Sequence, residues 1–389
     1  MRVAFINSVL GFGSTGKIVE LLASSHELDE LVFFGRKKYE GYVCNYKFND
    51  VFGITNHAIQ TFIYDNHGFV NKNQTMNLVK QLKAFKPDLV HLHNLHGYYL
   101  NIEVLINALK ELDVPVVYTL HDCWSFTGHC AHYDSIGCEQ WKTLCKNCPQ
   151  TLQYPWTFNK CNVSKNYLKK KQLFNNWNKL ALVTPSLWLK KQIESSFLAQ
   201  YPCYVINNGI DLNVFKPTNR KLNNKVKLLA VSSIWYKQKG LYDLVDFSKL
   251  LDDKYELTVV GLNKKQCKLF PSSVNTMTRT SNVQELVDLY GNADCFLNFT
   301  YSDTFPTVNL ESLACGTPII TYDVGGSPEV ITDGTGTIMK KGDYKQCYNL
   351  LENQILKQFD RIKCVEASKQ YSLDNMATNY LNLYKELQK

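Results

Sequence analysis

The chain has 389 residues, 45% apolar and 20% charged, a composition that excludes a disordered or low-complexity polypeptide. Its 43 Lys and Arg against 35 Asp and Glu leave a net charge of +8, a mild balance that suits an anionic substrate or membrane surface better than a nucleic-acid groove. At roughly 100 to 200 residues per domain, the length accommodates two or three domains with full cores.

The opening Met1–Asn7 reads as a buried strand, and its apolar run is too short and too poorly flanked for a signal peptide. No stretch of 18 apolar residues occurs, and the 13 cysteines are an odd number. The expectation is a cytoplasmic chain in a reducing compartment, where clustered thiols bind metal more often than they form disulfides. Strand-like runs follow at Glu30–Phe34, Leu89–His93, Val114–Leu120 and Leu180–Pro185, with helical periodicity at Lys17–Ser25, Thr75–Phe85 and Ile102–Leu112. Val205–Asp211, Lys216-Pro217 and the polar Thr218–Asn224 read as an interdomain linker. A second series restarts at Lys227–Ser232, Glu256–Gly261, Cys295–Phe299 and Pro318–Asp323, and a last helix spans about Leu373–Leu387. The alternation implies an α/β fold of two Rossmann-like doubly wound domains whose ligands sit at the carboxyl ends of parallel strands, facing a central cleft. The expected division is 1–215, 216–372 and a terminal helix 373–389 that belongs to either domain.

Between the first strand and first helix lies Gly11-Phe12-Gly13-Ser14-Thr15-Gly16-Lys17-Ile18. It fits G-x-G-x-x-G and nearly fits a P-loop, but Ile18 offers no hydroxyl for Mg²⁺, and the second strand ends in Gly35-Arg36-Lys37-Lys38, without the acidic residue of an NAD site. An NADP site, a nucleotide-binding P-loop, a plain tight turn and a loop touching phosphate or sugar through Gly13, Ser14, Thr15 and Gly16 all remain open at this point.

Tyr301–Pro318 is the most informative stretch. Pro306 suits a first helical turn and Gly316 a helix end, which predicts a helix over 305–315 with Asp303 before it and Glu311 along it. Its free N–H groups form an anion site flanked by a carboxylate that accepts from sugar hydroxyls. This stretch, with Val324–Glu329, Asn208–Asp211, Lys239-Gly240 and the Gly-rich loop, resembles the E-x7-E and accompanying motifs of retaining glycosyltransferases of family 4, which have the GT-B fold.

The resemblance implies that Asp303 contacts the donor sugar, Glu311 the ribose, and backbone near Phe305, Pro306 and Thr307 the sugar and phosphates. It implies that Lys239 neutralises the diphosphate and that His121 contacts the donor sugar near the reacting carbon. Two departures stand out: Asp303 is a methylene shorter than the family's Glu, and Ser233 occupies the position of an Arg whose charge Lys237 is placed to replace. The implied donor is a UDP- or GDP-linked sugar, transferred with retention and without a metal; the acceptor is a glycan, free or lipid-linked.

In the first half, His91 and His93 share a strand face and His96 follows in the loop, making His93, His96 and Asp122 candidates for acceptor binding. The segment 123–150 carries Cys130, Cys138, Cys145 and Cys148, a C-x7-C-x6-C-x2-C spacing that suits a structural zinc; a disulfide and unlinked thiols are the alternatives. The same segment is similar to a subgroup of family 4 that builds bacterial surface polysaccharides. The reading is therefore a polysaccharide-building transferase, at the inner membrane face if peripheral contact occurs, with no nucleic-acid partner. Its rivals are an NADP-dependent oxidoreductase and an interaction protein with a degenerate donor site.

Overall fold

Short β-branched and aromatic runs between amphipathic helices assemble here into two all-parallel sheets. The computed structural model describes residues 1–25, 27–159, 162–220 and 224–389. These divide into two compact units, Met1–Asn207 with Ala377–Lys389, and Asn208–Met376.

The first unit runs through β1 (Arg2–Asn7), α1 (Gly13–Ala23), β2 (Asp29–Phe34), β3 (Asn45–Lys47), α2 (Val51–Tyr64), α3 (Lys72–Phe85), β4 (Leu89–Leu92), α4 (Ile102–Leu112), β5 (Val116–Thr119), α5 (Val163–Leu173), β6 (Leu180–Thr184), α6 (Leu187–Glu194) and β7 (Cys203–Val205). Its sheet order is β3-β2-β1-β4-β5-β6-β7. β4, β5 and β6 are buried at every residue, as parallel strands covered on both faces must be. Their Leu and Val residues pack on Leu105, Ile106 and Leu109 from the apolar face of α4.

The second unit contains β8 (Val226–Val231), α7 (Leu241–Ser248), β9 (Tyr255–Val260), α8 (Lys264–Cys267), β10 (Asn275–Met277), α9 (Val283–Asn292), β11 (Cys295–Asn298), α10 (Thr307–Ala314), β12 (Ile319–Tyr322), β13 (Gly336–Met339), α11 (Tyr344–Glu352) and α12 (Arg361–Ser368). Its order is β10-β9-β8-β11-β12-β13. In both sheets the first strand is flanked by the second and the fourth, so each has one topological switch point, between β1 and β4 and between β8 and β11. Ligands of such sheets bind beyond the strand ends at that point.

The short edge strands β3, β7, β10 and β13 and helix α2 are absent from the sequence expectations; three or four residues are too few to show a period. The unit boundary falls at Asn207/Asn208 rather than after residue 215. Ile210 N–H donates to Tyr371 O (2.8 Å) and Leu373 N–H to Ile210 O (3.0 Å), which ties Asn208–Asp211 to the second unit. The expected linker Thr218–Asn224 includes 221–223, outside the described residues. The last helix, α13 (Leu373–Leu387), starts in the second unit and ends in the first, where Tyr384 Oη meets His91 Nδ1 at 2.6 Å and Tyr380 Oη meets Thr119 Oγ1 at 3.0 Å.

Candidate functional site

The loops beyond β8, β9, β11 and β12 are fastened to one another by glycines that no other residue replaces without displacement. Gly240, at φ +78°, lies so close to Phe299 O that a Cβ would stand 2.1 Å from it; at Gly261 the same atom would be 1.7 Å from Ser232 O. At Gly325, φ +58°, it would be 1.8 Å from the carbonyl oxygen of Asp303, and Gly326 N–H donates to that oxygen (3.1 Å). Asp303 is thereby gripped through its main chain.

Trp235 anchors the loop after β8: its ring is buried, Nε1 donates to Val260 O (2.8 Å), and Gln266 Nε2 donates to its carbonyl (2.7 Å). The following turn, Lys237–Lys239, is held by Tyr301 N–H donating to Gln238 O (2.7 Å). Lys239 Nζ then reaches Asp303 Oδ2 at 2.6 Å, while Asp303 Oδ1 accepts from Phe305 N–H (3.2 Å). Two residues 64 positions apart, expected at diphosphate and sugar, are thus one ion pair. Lys237 and Ser233 are both exposed.

α10 begins at Thr307 and ends at Ala314, shorter than the expected 305–315, because Pro306 keeps extended backbone (ψ 118°) as N-cap and supplies no side-chain acceptor. Phe305 and Pro306 are buried and carry the chain to the helix rather than lying within it. Within the helix only Thr307, Val308 and Glu311 are half-exposed; the rest is buried. These three share a face at i, i+1 and i+4, so the open stripe runs from the uncapped N-terminus to Glu311. Tyr290 Oη, fully buried, donates to Glu311 Oε2 at 2.9 Å and fixes that carboxylate. Trp235 stands out in sequence beside Tyr236 as a mark of a specialised loop, whereas Tyr290 was not found by sequence reasoning and looks like an ordinary core aromatic until its hydroxyl is located.

In the first unit, the expected acceptor residues gather beyond β4 and β5. His93 Nδ1 and His121 Nε2 are 3.0 Å apart, and His96 Nε2 meets Asp122 Oδ2 at 2.5 Å. Asp122 Oδ1 also accepts from Trp124 N–H (2.9 Å). Burial alone would raise the Asp122 carboxyl, but His96 beside it holds it down at about 2. Burial pushes His121 down to about 4 and His93 well below the usual imidazole range, so both rings are neutral near pH 7 and one donates its N–H to the other. His91 belongs elsewhere, between Thr119 and Tyr384. Unforeseen neighbours are Tyr154, whose Oη meets His96 Nδ1 at 2.9 Å, and His67, whose Nε2 accepts from Gly97 N–H (3.1 Å).

The Gly-rich loop closes on itself, Gly11 N–H donating to Gly16 O at 3.0 Å, with Gly11 and Gly13 at positive φ. Gly13 and Ser14 are exposed, Gly16 packs under Val9, and Thr15 Oγ1 accepts weakly from Asn94 Nδ2 (3.4 Å). Arg36, beside which an NADP phosphate would sit, donates from Nη1 to Gly97 O (3.0 Å).

Cys130, Cys138, Cys145 and Cys148 line one small cavity with Tyr133 and Trp141. A thiol hydrogen bond between Cys130 and Cys148 pushes the first up and holds the second down. Among the described residues, however, no three His, Cys, Asp or Glu side chains are arranged to hold a metal ion, so the expected tetrathiolate site is not preformed. Cys161 lies outside the described residues.

Residues 20–214 match the family profile Glycosyltransferase Family 4, and residues 225–354 match Glycosyl transferases group 1. A provisionally assigned colanic acid biosynthesis glycosyl transferase of Escherichia coli K12, WcaC, is 28% identical over 323 residues, 77% of each chain. The N,N'-diacetylbacillosaminyl-diphospho-undecaprenol alpha-1,3-N-acetylgalactosaminyltransferase of Campylobacter jejuni is 25% identical over 207 residues, covering 47% of this chain and 54% of its own. In three dimensions the chain is similar to Anabaena HepE in complex with UDP and glucose (TM-score 0.68, 15% identity, 99% of each chain). It is also similar to sucrose-phosphate synthase from Thermosynechococcus elongatus (TM-score 0.71, 14% identity, 99% of this chain and 98% of that one).

Proposed function

The chain belongs to glycosyltransferase family 4 and has the GT-B fold, and on that premise we propose that it moves a sugar, with retention, from a nucleoside diphosphate to a glycan acceptor in surface polysaccharide synthesis. The observation that carries the reading is the switch-point site of the second unit: an uncapped helix N-terminus, the Lys239–Asp303 pair and the Tyr290-held Glu311. Glu311 accepts from the ribose hydroxyls, and the N–H groups at the start of α10 face the phosphates. Asp303 accepts from sugar hydroxyls. When the glycosidic C–O bond to the diphosphate breaks, negative charge grows on the phosphate oxygens and the sugar turns oxocarbenium-like; Lys239 then exchanges part of its interaction with Asp303 for the leaving group. The acceptor hydroxyl attacks from the side of the departing phosphate, which takes its proton. Neutralisation by Lys239 makes a divalent ion dispensable, so added Mg²⁺ or Mn²⁺ leaves the rate unchanged.

In the first unit, His96 offers hydrogen bonds to acceptor hydroxyls and Asp122 orients it, while His93, expected at the acceptor, is fully buried and instead holds His121, which serves the donor sugar. A lipid-diphosphate carrier for the acceptor is supported by the diphospho-undecaprenol in the name of the Campylobacter relative, and a UDP-linked donor by the UDP and glucose bound in the HepE complex. The direct test is to incubate the chain with UDP- and GDP-sugars and a lipid-linked glycan and to read the anomeric configuration of the product by NMR. Retained configuration is expected; inversion, or nucleotide turnover with none of these donors, overturns the reading.

Zinc in the four-cysteine cavity is a separate proposal, supported by the spacing and the shared cavity. Metal analysis of the purified chain should find stoichiometric zinc, lost with a fall in Tm in Cys145→Ser/Cys148→Ser; a zinc-free, equally stable protein removes it.

A further inference from the structure

Helix α2 is turned inside out. Its buried line is Gly53, His57 and Thr61 at i, i+4 and i+8, whereas Phe52, Ile59 and Ile63, at i, i+7 and i+11, face outward with exposures of 80%, 52% and 48%. A surface helix ordinarily does the reverse. None of its 14 residues is charged. The buried line is specified, since His57 Nε2 accepts from Gly68 N–H (3.0 Å) and a Cβ at Gly53 would meet Asn49 Oδ1 at 2.2 Å. The helix is therefore fixed in this orientation and its apolar side is left to the outside.

The patch continues past the helix end. Phe158 packs on Phe62 with ring centroids 4.5 Å apart, and its N–H donates to Phe62 O (3.0 Å). Trp156, two residues earlier, is 63% exposed. An outward face of Phe, Ile and Trp is far more apolar than the scattered exposed residues of an ordinary surface.

Charge around the patch selects its occupant. Residues 140–193 hold ten Lys and no Asp or Glu, and residues 51–87 hold four Lys and one acid, Asp65, which is buried against His129. Asp50 precedes α2, its carboxylate engaged by Gly53 N–H. At the start of the helix, Gly53 abuts Asn71 and Gln74, which brings exposed Lys72 close by; at its end, Asn162 Nδ2 donates to Tyr64 O (2.6 Å), and Lys165 follows, exposed. Lys142, Lys169 and Lys179 of these pair with Glu139, Glu103 and Asp113, but exposed Lys72 and Lys165 frame the apolar and aromatic side chains in the manner that suits the acyl boundary and headgroups of an anionic bilayer. A second copy of the chain would set these lysines against each other. No helix among the described residues is long and apolar enough to cross a membrane, so the contact is with its surface.

We propose that the outward face of α2 and the adjoining Trp156–Phe158 segment form a docking surface for an anionic lipid bilayer. The proposal stands apart from the transfer reaction, since it concerns where the chain resides and not what it transfers. It is tested by flotation of the full chain with phosphatidylcholine vesicles, with and without phosphatidylglycerol, over a range of salt. Binding is expected only with phosphatidylglycerol, weakening with salt. Phe52→Ser/Ile59→Ser/Ile63→Ser should lower it by roughly tenfold or more at unchanged Tm, because those side chains are exposed, and Lys72→Glu/Lys165→Glu by a similar factor. No binding to either vesicle, equal binding to both, or undiminished binding of the triple variant overturns the proposal. So does a parent chain that self-associates through this face, becomes monomeric in the triple variant and ignores vesicles.

Discussion

The second unit's chemistry reduces to three charged groups and what holds each. Glu311 is presented on the one open stripe of α10 and fixed by Tyr290 Oη, so Glu311→Ala should weaken nucleoside diphosphate binding by about 10- to 100-fold, the loss expected for hydrogen bonds to a charged acceptor. Titration calorimetry checks this; unchanged affinity would remove the ribose role. Lys239 is held 2.6 Å from Asp303, so Lys239→Ala should lower kcat by roughly 10²- to 10³-fold with a smaller change in KM. Equal kcat would move phosphate stabilisation elsewhere. These residues were legible in sequence because Pro306, Glu311 and Gly316 mark a helix and its ends, and a helix N-terminus beside a carboxylate has definite chemistry. The ion pair was not, since nothing in sequence shows that a Lys after β8 and an Asp after β11 meet across a switch point. Nor does it show that Arg36 is spent on Gly97.

At the level of elements, the donor-side loops depend on glycines that admit another backbone. Gly325→Ala adds a Cβ 1.8 Å from Asp303 O at a φ of +58°, costing about 1–2 kcal/mol in backbone strain before the clash is counted. Thermal melts should show the stability loss and activity should fall further than stability alone explains, because Asp303 is displaced; a variant with parental activity would contradict the grip described for that loop. The nine central strands β1, β2, β4, β5, β6, β8, β9, β11 and β12 were visible as apolar runs, and α1, α3 and α4 as 3.6-residue periods. Edge strands β3, β7, β10 and β13, of three or four residues, were not, and α2 was missed because its apolar residues point away from the core, so that its pattern belongs to no buried face. The Cys segment shows the converse: spacing brought four thiols correctly to one cavity, but spacing does not decide whether they converge into a tetrahedral site.

For the whole molecule, all nine histidines precede residue 133, in the first unit, and the second unit contains none. Burial lowers His57 to about 3 and His121 to about 4, and takes His67, His91 and His93 well below 6.5. Between pH 6.5 and about 4 the unfolded chain binds protons that the folded unit refuses, so stability falls as pH drops through that window, by about 1.4 kcal/mol per pH unit for each such histidine. Urea unfolding at pH 7 and pH 5 should show the first unit weakening and the second holding; the reverse order would contradict the neutral histidine cluster. Two doubly wound units were expected from the alternation of strands and helices alone, but the return of α13 to the first unit was not, because it rests on Tyr380 and Tyr384 finding Thr119 and His91 nearly 300 residues away.

The central claim is that the second unit's switch point binds a nucleoside diphosphate through Glu311. Thermal-shift measurements of the chain and of Glu311→Ala with UDP, GDP, ADP, CMP and NADP test it most directly, since a ligand at about 100 times its Kd adds about 2.7 kcal/mol of stability. The account predicts a raised Tm with UDP or GDP that largely disappears in the variant. Stabilisation by NADP alone, or an equal shift in both proteins, would contradict it.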